Sequence, residues 1–473
     1  METLTPTAKS APALTTDYGA VHRQLRRGYR AGELRAYAAR RDALKSLRAA
    51  IKAHESRLFE ALSKDFGKPA FEAYTSEIGF CYQEIDHTLA RLKSWMRPIR
   101  VGVSPMLFPT TARSYYLPKG VVLVVAPWNY PVNLTFSPLV AALAAGNHVA
   151  LKPAEDTPAT ALVIESICEA AFVTTQVAVV QGPGAEAVPA LMDAGRFDHV
   201  FYTGSTRVGR LLGERCGREL IPCTLELGGK CPAIVMADAD LGVAADRLIW
   251  GKCLNVGQTC VAPDYVLVER EAEAELLGIM RAKLREAYGD DPIESPDLAR
   301  VVNDKHWRRL RELIDRSEVA YGGQYDEAER FIAPTLVTDV SLDSPLLEEE
   351  IFGPILPIIP VDGFDDAASV IALHPNPLAA YLFSEDSATQ ERFVDELTFG
   401  GGCINDTVLH LGIPDLPFGG VQQSGIGRYH GVEGFRTFSN QKSVAQTSTL
   451  INLPLRYAPY RASLLGAVKK ILG

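Results

Sequence analysis

From Lys119 onward the chain alternates between two hydrophobic rhythms. Val121–Ala126 is a continuous apolar run, the pattern of a strand covered on both faces. Helical text follows at Leu139–Ala145, then a strand at His148–Leu151 and a helix at Pro158–Ala171. Val177–Gln181 reads as a strand, Ala185–Asp193 as a helix, His199–Tyr202 as a strand and Arg207–Cys216 as a helix. Such alternation predicts a parallel sheet with crossover helices. A second α/β region starts near Leu227, with strand Ala233–Met236, helix Ala244–Asn255, strand Tyr265–Val268 and helix Ala272–Tyr288. Further strands are expected at Ile332–Val337, Leu356–Pro360 and Ala380–Phe383.

The flanks read differently. Residues 1–18 are rich in Thr, Ala, Pro and Ser and are expected to be mobile. Tyr18–Lys52 interleaves Lys and Arg with apolar residues at helical spacing, which predicts amphipathic helices with a solvated basic face. A second helix is expected from Glu72 to Met96, and Pro98–Pro118 as an extended excursion or edge ribbon. The last residues, with Leu464, Leu465, Val468, Ile471 and Leu472 beside Lys469 and Lys470, form a short amphipathic helix expected to pack on the protein itself.

A length of 473 residues is enough for about three domains. The net charge of −9 argues against a nucleic-acid footprint. No apolar run approaches the roughly 20 residues of a membrane span, and no secretory signal is read at the N-terminus. The eight cysteines contain no C-x-x-C pair and never meet histidine at metal-ligand spacing, so neither a zinc site nor a disulfide framework is expected. A reducing, cytoplasmic compartment is the expectation.

Five segments could carry chemistry. Cys260, in Gly257-Gln258-Thr259-Cys260, lies on the connection after a predicted helix, where reactive groups collect. Cys253 falls on an apolar helical face and reads as core. Glu226 ends an apolar strand before Gly228-Gly229; it is either a general base with a raised pKa or a surface carboxylate before a turn. Asn129 follows the strand Val121–Ala126 and could donate to a developing oxyanion, or simply favour a turn. Gly204-Ser205-Thr206-Arg207-Val208-Gly209 joins a strand to a helix whose free N–H groups could meet a phosphate, although it is neither G-x-G-x-x-G nor a Walker sequence. Lys152 and Glu155, closing another strand, could hold ribose hydroxyls or belong to a solvated loop.

Taken in order along the chain, these segments resemble the aldehyde dehydrogenase superfamily. Glu349-Glu350-Ile351-Phe352-Gly353-Pro354 and Pro417-Phe418-Gly419-Gly420 extend the likeness, which runs from about residue 25 to about residue 445. The class 3 branch is the most similar, on Trp128-Asn129-Tyr130-Pro131, on Gly257 through Tyr265 and on Tyr429-His430-Gly431. The resemblance implies an α/β fold. A Rossmann-type, NAD(P)-binding domain would span 19–226, interrupted by the excursion 98–118. A catalytic domain would span 227–428, a bridging segment for oligomerisation 429–450, and a tail 451–473. It implies Cys260 as nucleophile, an oxyanion held by Asn129 and the Cys260 N–H, and water activated by Glu226. It places Trp128 and Ser205 by the pyrophosphate, in a cofactor-binding turn with Gly204 and Gly209, Lys152 and Glu155 by the adenosine ribose, and Glu350 and Phe352 by the nicotinamide ribose and ring. Tyr130, Leu134, Leu254 and Thr259 are the pocket residues it suggests. NAD is the expected cofactor, with NADP also accepted; the substrate class is aromatic or medium-to-long aliphatic aldehydes, and the assembly a homodimer. The tail is where the sequence departs most from the branch. A coenzyme A-acylating relative and a catalytically silent member are the competing readings; the presence of Glu226, and of Asn129, Glu226 and Cys260 together, speaks against each.

Overall fold

The computed structural model describes residues 17–452 and 457–472. The expected mobile N-terminus falls almost wholly outside this range. The alternation from residue 121 builds a six-stranded sheet in the order Gly425–Ile426, Cys223–Glu226, His199–Thr203, Val121–Val125, His148–Lys152, Val177–Val179. Five strands are parallel, and Gly425–Ile426 joins the edge antiparallel to Cys223–Glu226. Val121–Val125 and His148–Lys152 are buried at every position, which is why their sequence shows no alternation.

The connectivity matters for function. From the central strand Val121–Val125 the chain first winds one way to His148–Lys152 and Val177–Val179. It then returns to the other side for His199–Thr203 and Cys223–Glu226. The loops leaving Val125 and Thr203 therefore diverge, and they open a crevice at the carboxyl end of the sheet where open α/β folds bind ligands.

Glu226 ends the first sheet, and Pro232 already begins the second. The second sheet has the order Glu318–Tyr321, Thr335–Thr338, Ile355–Val361, Tyr265–Glu269, Pro232–Val235, Ala379–Phe383, Gly401–Ile404, parallel except for the first strand. The chain thus leaves the carboxyl end of one sheet and enters the amino end of the next. A third, antiparallel sheet pairs Ile99–Val101 with Thr110–Pro118, and Thr110–Pro118 with Ser439–Thr447. It resolves the Pro98–Pro118 excursion as a ribbon.

Helix Asn133–Ala145 threads the middle of the molecule. Nearly all its residues are buried, so it is apolar all round rather than on one stripe. The expected helix Glu72–Met96 is present with a difference: Ala70–Ala73 and Gly79–Trp95 flank a π-helical turn at Tyr74–Ile78. The expected helix Ala244–Asn255 runs from Leu241 to Cys253 and then tightens into a turn at Leu254–Gly257. Helices Glu55–Phe66, Asp304–Asp315, Phe364–Ile371 and Ser387–Glu396 were not read from the sequence. The tail forms helix Ala462–Leu472. Among the described residues no helix is long and apolar enough to cross a membrane.

Candidate active site

Cys260 lies on the connection between the turn Leu254–Gly257 and strand Tyr265–Glu269 and is half-buried. This loop is rigid for identifiable reasons. Asn255 and Val256 take left-handed backbone angles (φ 53° and 46°), and Gly257 follows at φ 74°. Asparagine tolerates that region and valine does not, so the surroundings must enforce it. Gln258, fully buried, supplies the enforcement. Its amide donates to the carbonyls of Asn255 and Arg300, both at 3.1 Å, and its oxygen accepts from Val302 N at 2.9 Å. A Cβ on Gly257 would overlap the Gly353 carbonyl, so only glycine fits there. Beneath the loop, Cys231 Sγ donates to the Cys260 carbonyl at 3.4 Å.

The Asn129 loop faces the Cys260 loop and is tied to it. Asn255 Nδ2 donates to the Asn129 carbonyl at 2.8 Å, and Tyr130 and Thr259 share a hydroxyl hydrogen bond of 2.5 Å. Thr259 also donates to the Leu254 carbonyl at 3.3 Å. Among the described residues the Asn129 side-chain amide has no protein partner, although the residue is buried. Leu134 opens the helix Asn133–Ala145 and, like Leu254, stays partly exposed.

Glu226 is only 2% exposed, and neither carboxylate oxygen has a protein partner. Burial pushes its pKa well above the usual carboxylate range; Arg428 opposes the shift. Burial therefore favours the protonated carboxyl, which must ionise before it can act as a general base. Burial, followed by the negative charges of Glu350 and Glu226, raises the Cys260 thiol well above its ordinary value. Both carboxylates thus act on the sulfur through their charge. Glu350 is raised to about 8, first by burial and next by Asp264. Asp264 in turn pairs with Lys230, and accepts from Ile351 N at 3.0 Å.

Several of the remaining sequence candidates follow the carboxyl ends of strands in the first sheet. Ser205 caps the helix Thr206–Glu219, its hydroxyl accepting from Val208 N at 3.5 Å, just after Gly204. A Cβ on Gly209 would meet Leu227 at 2.5 Å, so glycine there lets the helix sit close to the end of the sheet. Lys152, buried, donates to the Pro153 carbonyl at 2.6 Å and to Glu155 at 2.9 Å. Glu155 also accepts from Gly184 N at 2.8 Å. Burial alone would raise Glu155, but its bonds to Lys152 and Gly184 outweigh that and hold it below the ordinary value. Trp128 packs edge-on to Phe352 at 5.3 Å and lies 5.1 Å from the His306 ring.

The structure thus brings several of the sequence candidates together. Hydrogen bonds join the Asn129–Tyr130 loop to Asn255 and Thr259, and the charges of Glu350 and Glu226 act on Cys260; separately, Trp128 packs on Phe352 and Lys152 bonds Glu155. Lys68, Glu72, Glu77, Asn255, Gln258 and His306 also shape the site but were not read from the sequence. Their spacing carries no motif. Only Gly67-Lys68-Pro69, a charge trapped between a helix stop and a helix start, could have pointed to one of them.

A crevice at the switch point of a doubly wound sheet, beside a loop-borne cysteine and a buried carboxyl, defines an enzyme that pairs a dinucleotide with covalent chemistry. The aldehyde dehydrogenase family model matches residues 4–444, and the chain belongs to that family. The 4,4'-diaponeurosporen-aldehyde dehydrogenase of Staphylococcus aureus is 44% identical over 424 residues, covering 89% of this chain and 92% of its own. Aldehyde dehydrogenase family 3 member H1 of Arabidopsis thaliana is 40% identical over 454 residues, covering 95% and 93%. A solved substrate-bound state of Staphylococcus aureus AldH superposes with a TM-score of 0.94 at 41% identity, over 97% of this chain and all of the other. The class 3 resemblance is borne out, and the protein is an NAD(P)-dependent enzyme of aldehyde oxidation.

Proposed function

We propose that the chain oxidises aromatic or medium-to-long aliphatic aldehydes to carboxylates through a thioester on Cys260. The unpartnered Glu226 carboxyl, buried and acting through its charge on the Cys260 sulfur, carries this reading. The Cys260 thiol first releases its proton to water, and the thiolate then adds to the aldehyde carbon. The Asn129 amide and the Cys260 N–H hold the oxyanion that forms; losing one such donor typically costs roughly 3 kcal/mol of barrier. The thioester forms once the tetrahedral carbon gives up its hydride, which the bound cofactor would accept. Glu226, in its ionised form, then removes a proton from the attacking water; the Cys260 thiolate leaves and can take that proton back as the carboxylic acid product forms.

The crevice fits a dinucleotide. Ser205 at the N-terminus of a 14-residue helix presents free N–H groups for a pyrophosphate, with Trp128 beside it. Lys152 and Glu155 suit the adenosine ribose, and Glu350 and Phe352 the nicotinamide ribose and ring. When bound, the oxidised cofactor accepts the hydride from the substrate carbon. The ionised Glu155 favours a free 2′-hydroxyl, hence NAD over NADP. Tyr130, Leu134, Leu254 and Thr259 form the substrate pocket in this reading.

We divide the chain into a cofactor unit, a catalytic unit and the antiparallel ribbon. Strand Ser439–Thr447 lies at the outer edge of that ribbon and is exposed along most of its length, an edge suited to pairing in a homodimer. Eight free cysteines suit a reducing, cytoplasmic setting.

The test is turnover of benzaldehyde-type, short and long aliphatic aldehydes with NAD and no coenzyme A. Carboxylate is expected in every productive case. Product only when coenzyme A is added would favour the acylating reading. Cys260→Ala should keep cofactor binding and lose oxidation; unchanged turnover would remove Cys260 from the mechanism.

A further inference from the structure

Apart from these contacts the most tightly built polar feature is a buried ion pair. Lys68 and Glu77 are 2.6 Å apart, and neither side chain is exposed. Lys68 sits in the joint between helices Glu55–Phe66 and Ala70–Ala73, and Glu77 within the π-helical turn Tyr74–Ile78. A π turn in an otherwise regular helix is often found at functional sites, because it re-aims side chains. Removing two charges from water is expensive, so such a pair persists only where its remaining bonds are well used.

Here those bonds run to the Asn129 loop. Glu77 Oε2 accepts from Val132 N at 2.8 Å and from Asn133 N at 3.2 Å. It therefore caps helix Asn133–Ala145, whose own N-cap residue, Val132, has no side chain that could do so. Lys68 Nζ reaches the Asn129 carbonyl at 3.5 Å and lies 4.6 Å from the centre of the Tyr130 ring. The same stretch also holds the opposite loop: Glu72 Oε1 accepts from Asn255 N at 2.9 Å. Asn255 then donates to the Asn129 carbonyl. One short segment, Lys68 to Glu77, thus grips both the loop of the amide and the loop of the thiol.

We propose that Lys68 and Glu77 are positioning residues that hold the Asn129 amide in register with Cys260. The proposal rests on the oxyanion role assigned to Asn129 above. It predicts that the pair acts on the chemical step rather than on cofactor binding. A misplacement of about 1 Å in a reacting group can cost on the order of 10²-fold in rate.

The experiment compares wild type, Glu77→Gln, the double variant Lys68→Met/Glu77→Leu, Asn129→Ala and the triple combination. For each, kcat and KM for aldehyde, the affinity for reduced cofactor by fluorescence, and the unfolding midpoint are measured. The double variant leaves no unpaired buried charge, so its stability should return towards wild type. Its kcat should nevertheless stay about 10²-fold low, with cofactor affinity within about twofold. In the Asn129→Ala background the same substitutions should change kcat little, since the amide they position is gone. Glu77→Gln, a milder change that keeps one acceptor, should show a smaller loss of the same kind. Wild-type kcat in the double variant, or an undiminished loss in the Asn129→Ala background, would overturn the proposal. If instead Asn129→Ala itself keeps wild-type kcat, the oxyanion assignment fails first, and the positioning role with it.

Discussion

Replacing Glu226 by glutamine should make the protein more stable and less active at once. The carboxyl is buried, without a protein partner, and offset only by Arg428. Its folded pKa is raised well above the ordinary 4.5. Between those two values the native state holds a proton that the unfolded chain has already released. Stability attributable to this group therefore falls as pH rises through that window, by about 1.4 kcal/mol per pH unit. Below the ordinary value both states are protonated and the effect vanishes. Glutamine has the same shape and never ionises, so it removes the slope. Glu72, Glu84 and Glu350, raised by burial to about 7, 7 and 8, tilt both proteins equally and cancel in the difference. Urea unfolding of both proteins from about pH 5 to about pH 7 should show the variant gaining stability relative to wild type as pH rises, by at most about 1.4 kcal/mol per unit. Steady-state turnover should drop by roughly 10²–10⁴-fold. A first-turnover burst of reduced cofactor, about one equivalent per site, should survive, because the thioester forms before water is needed. A flat stability difference across that range, or a less stable variant, would refute the assignment of an isolated buried carboxyl.

Other substitutions probe other parts of the site. Gly257→Ala combines roughly 1–2 kcal/mol of left-handed strain with overlap on the Gly353 carbonyl; it should lower the unfolding midpoint and turnover together. Alkylation of Cys260 by iodoacetamide in the free enzyme should be slow near neutral pH and accelerate in base, and Glu350→Gln should speed it by removing the charge that raises the thiol most. Glu155→Gln should shift the ratio of kcat/KM for NADP over NAD upward, by removing a negative charge from the ribose position; an unchanged ratio would place the discrimination elsewhere.

The parallel sheets were legible because buried strands advertise themselves. Val121–Val125, His148–Lys152 and His199–Thr203 agree with the sequence reading to within one residue at each end. The reactive positions at their carboxyl ends could then be located by topology. The rest depends on contacts between distant segments. Gly401–Ile404, with two glycines, does not look like a strand until it pairs with Ala379–Phe383. Gly425–Ile426 has no strand signal beyond its partner Cys223–Glu226. The left-handed turn after Cys253 overrides the helical pattern that ran through Asn255, because Gln258 fixes it from outside the window of local propensity. Lys68 and Glu77 carry no motif in the sequence. Only the fold turns them inward to meet at the base of the Asn129 loop.

The antiparallel strand Gly425–Ile426 orders events during biosynthesis. It completes the sheet beside Glu226, and Ser424 accepts from Leu227 N at 3.0 Å. The chain is made from its amino end, so Glu226 and Cys260 leave the ribosome long before the strand that covers one of them. A nascent chain carries its thiol and carboxyl as separate, ordinary side chains. They share one site only after the covering strand has been made, when synthesis is nearly finished.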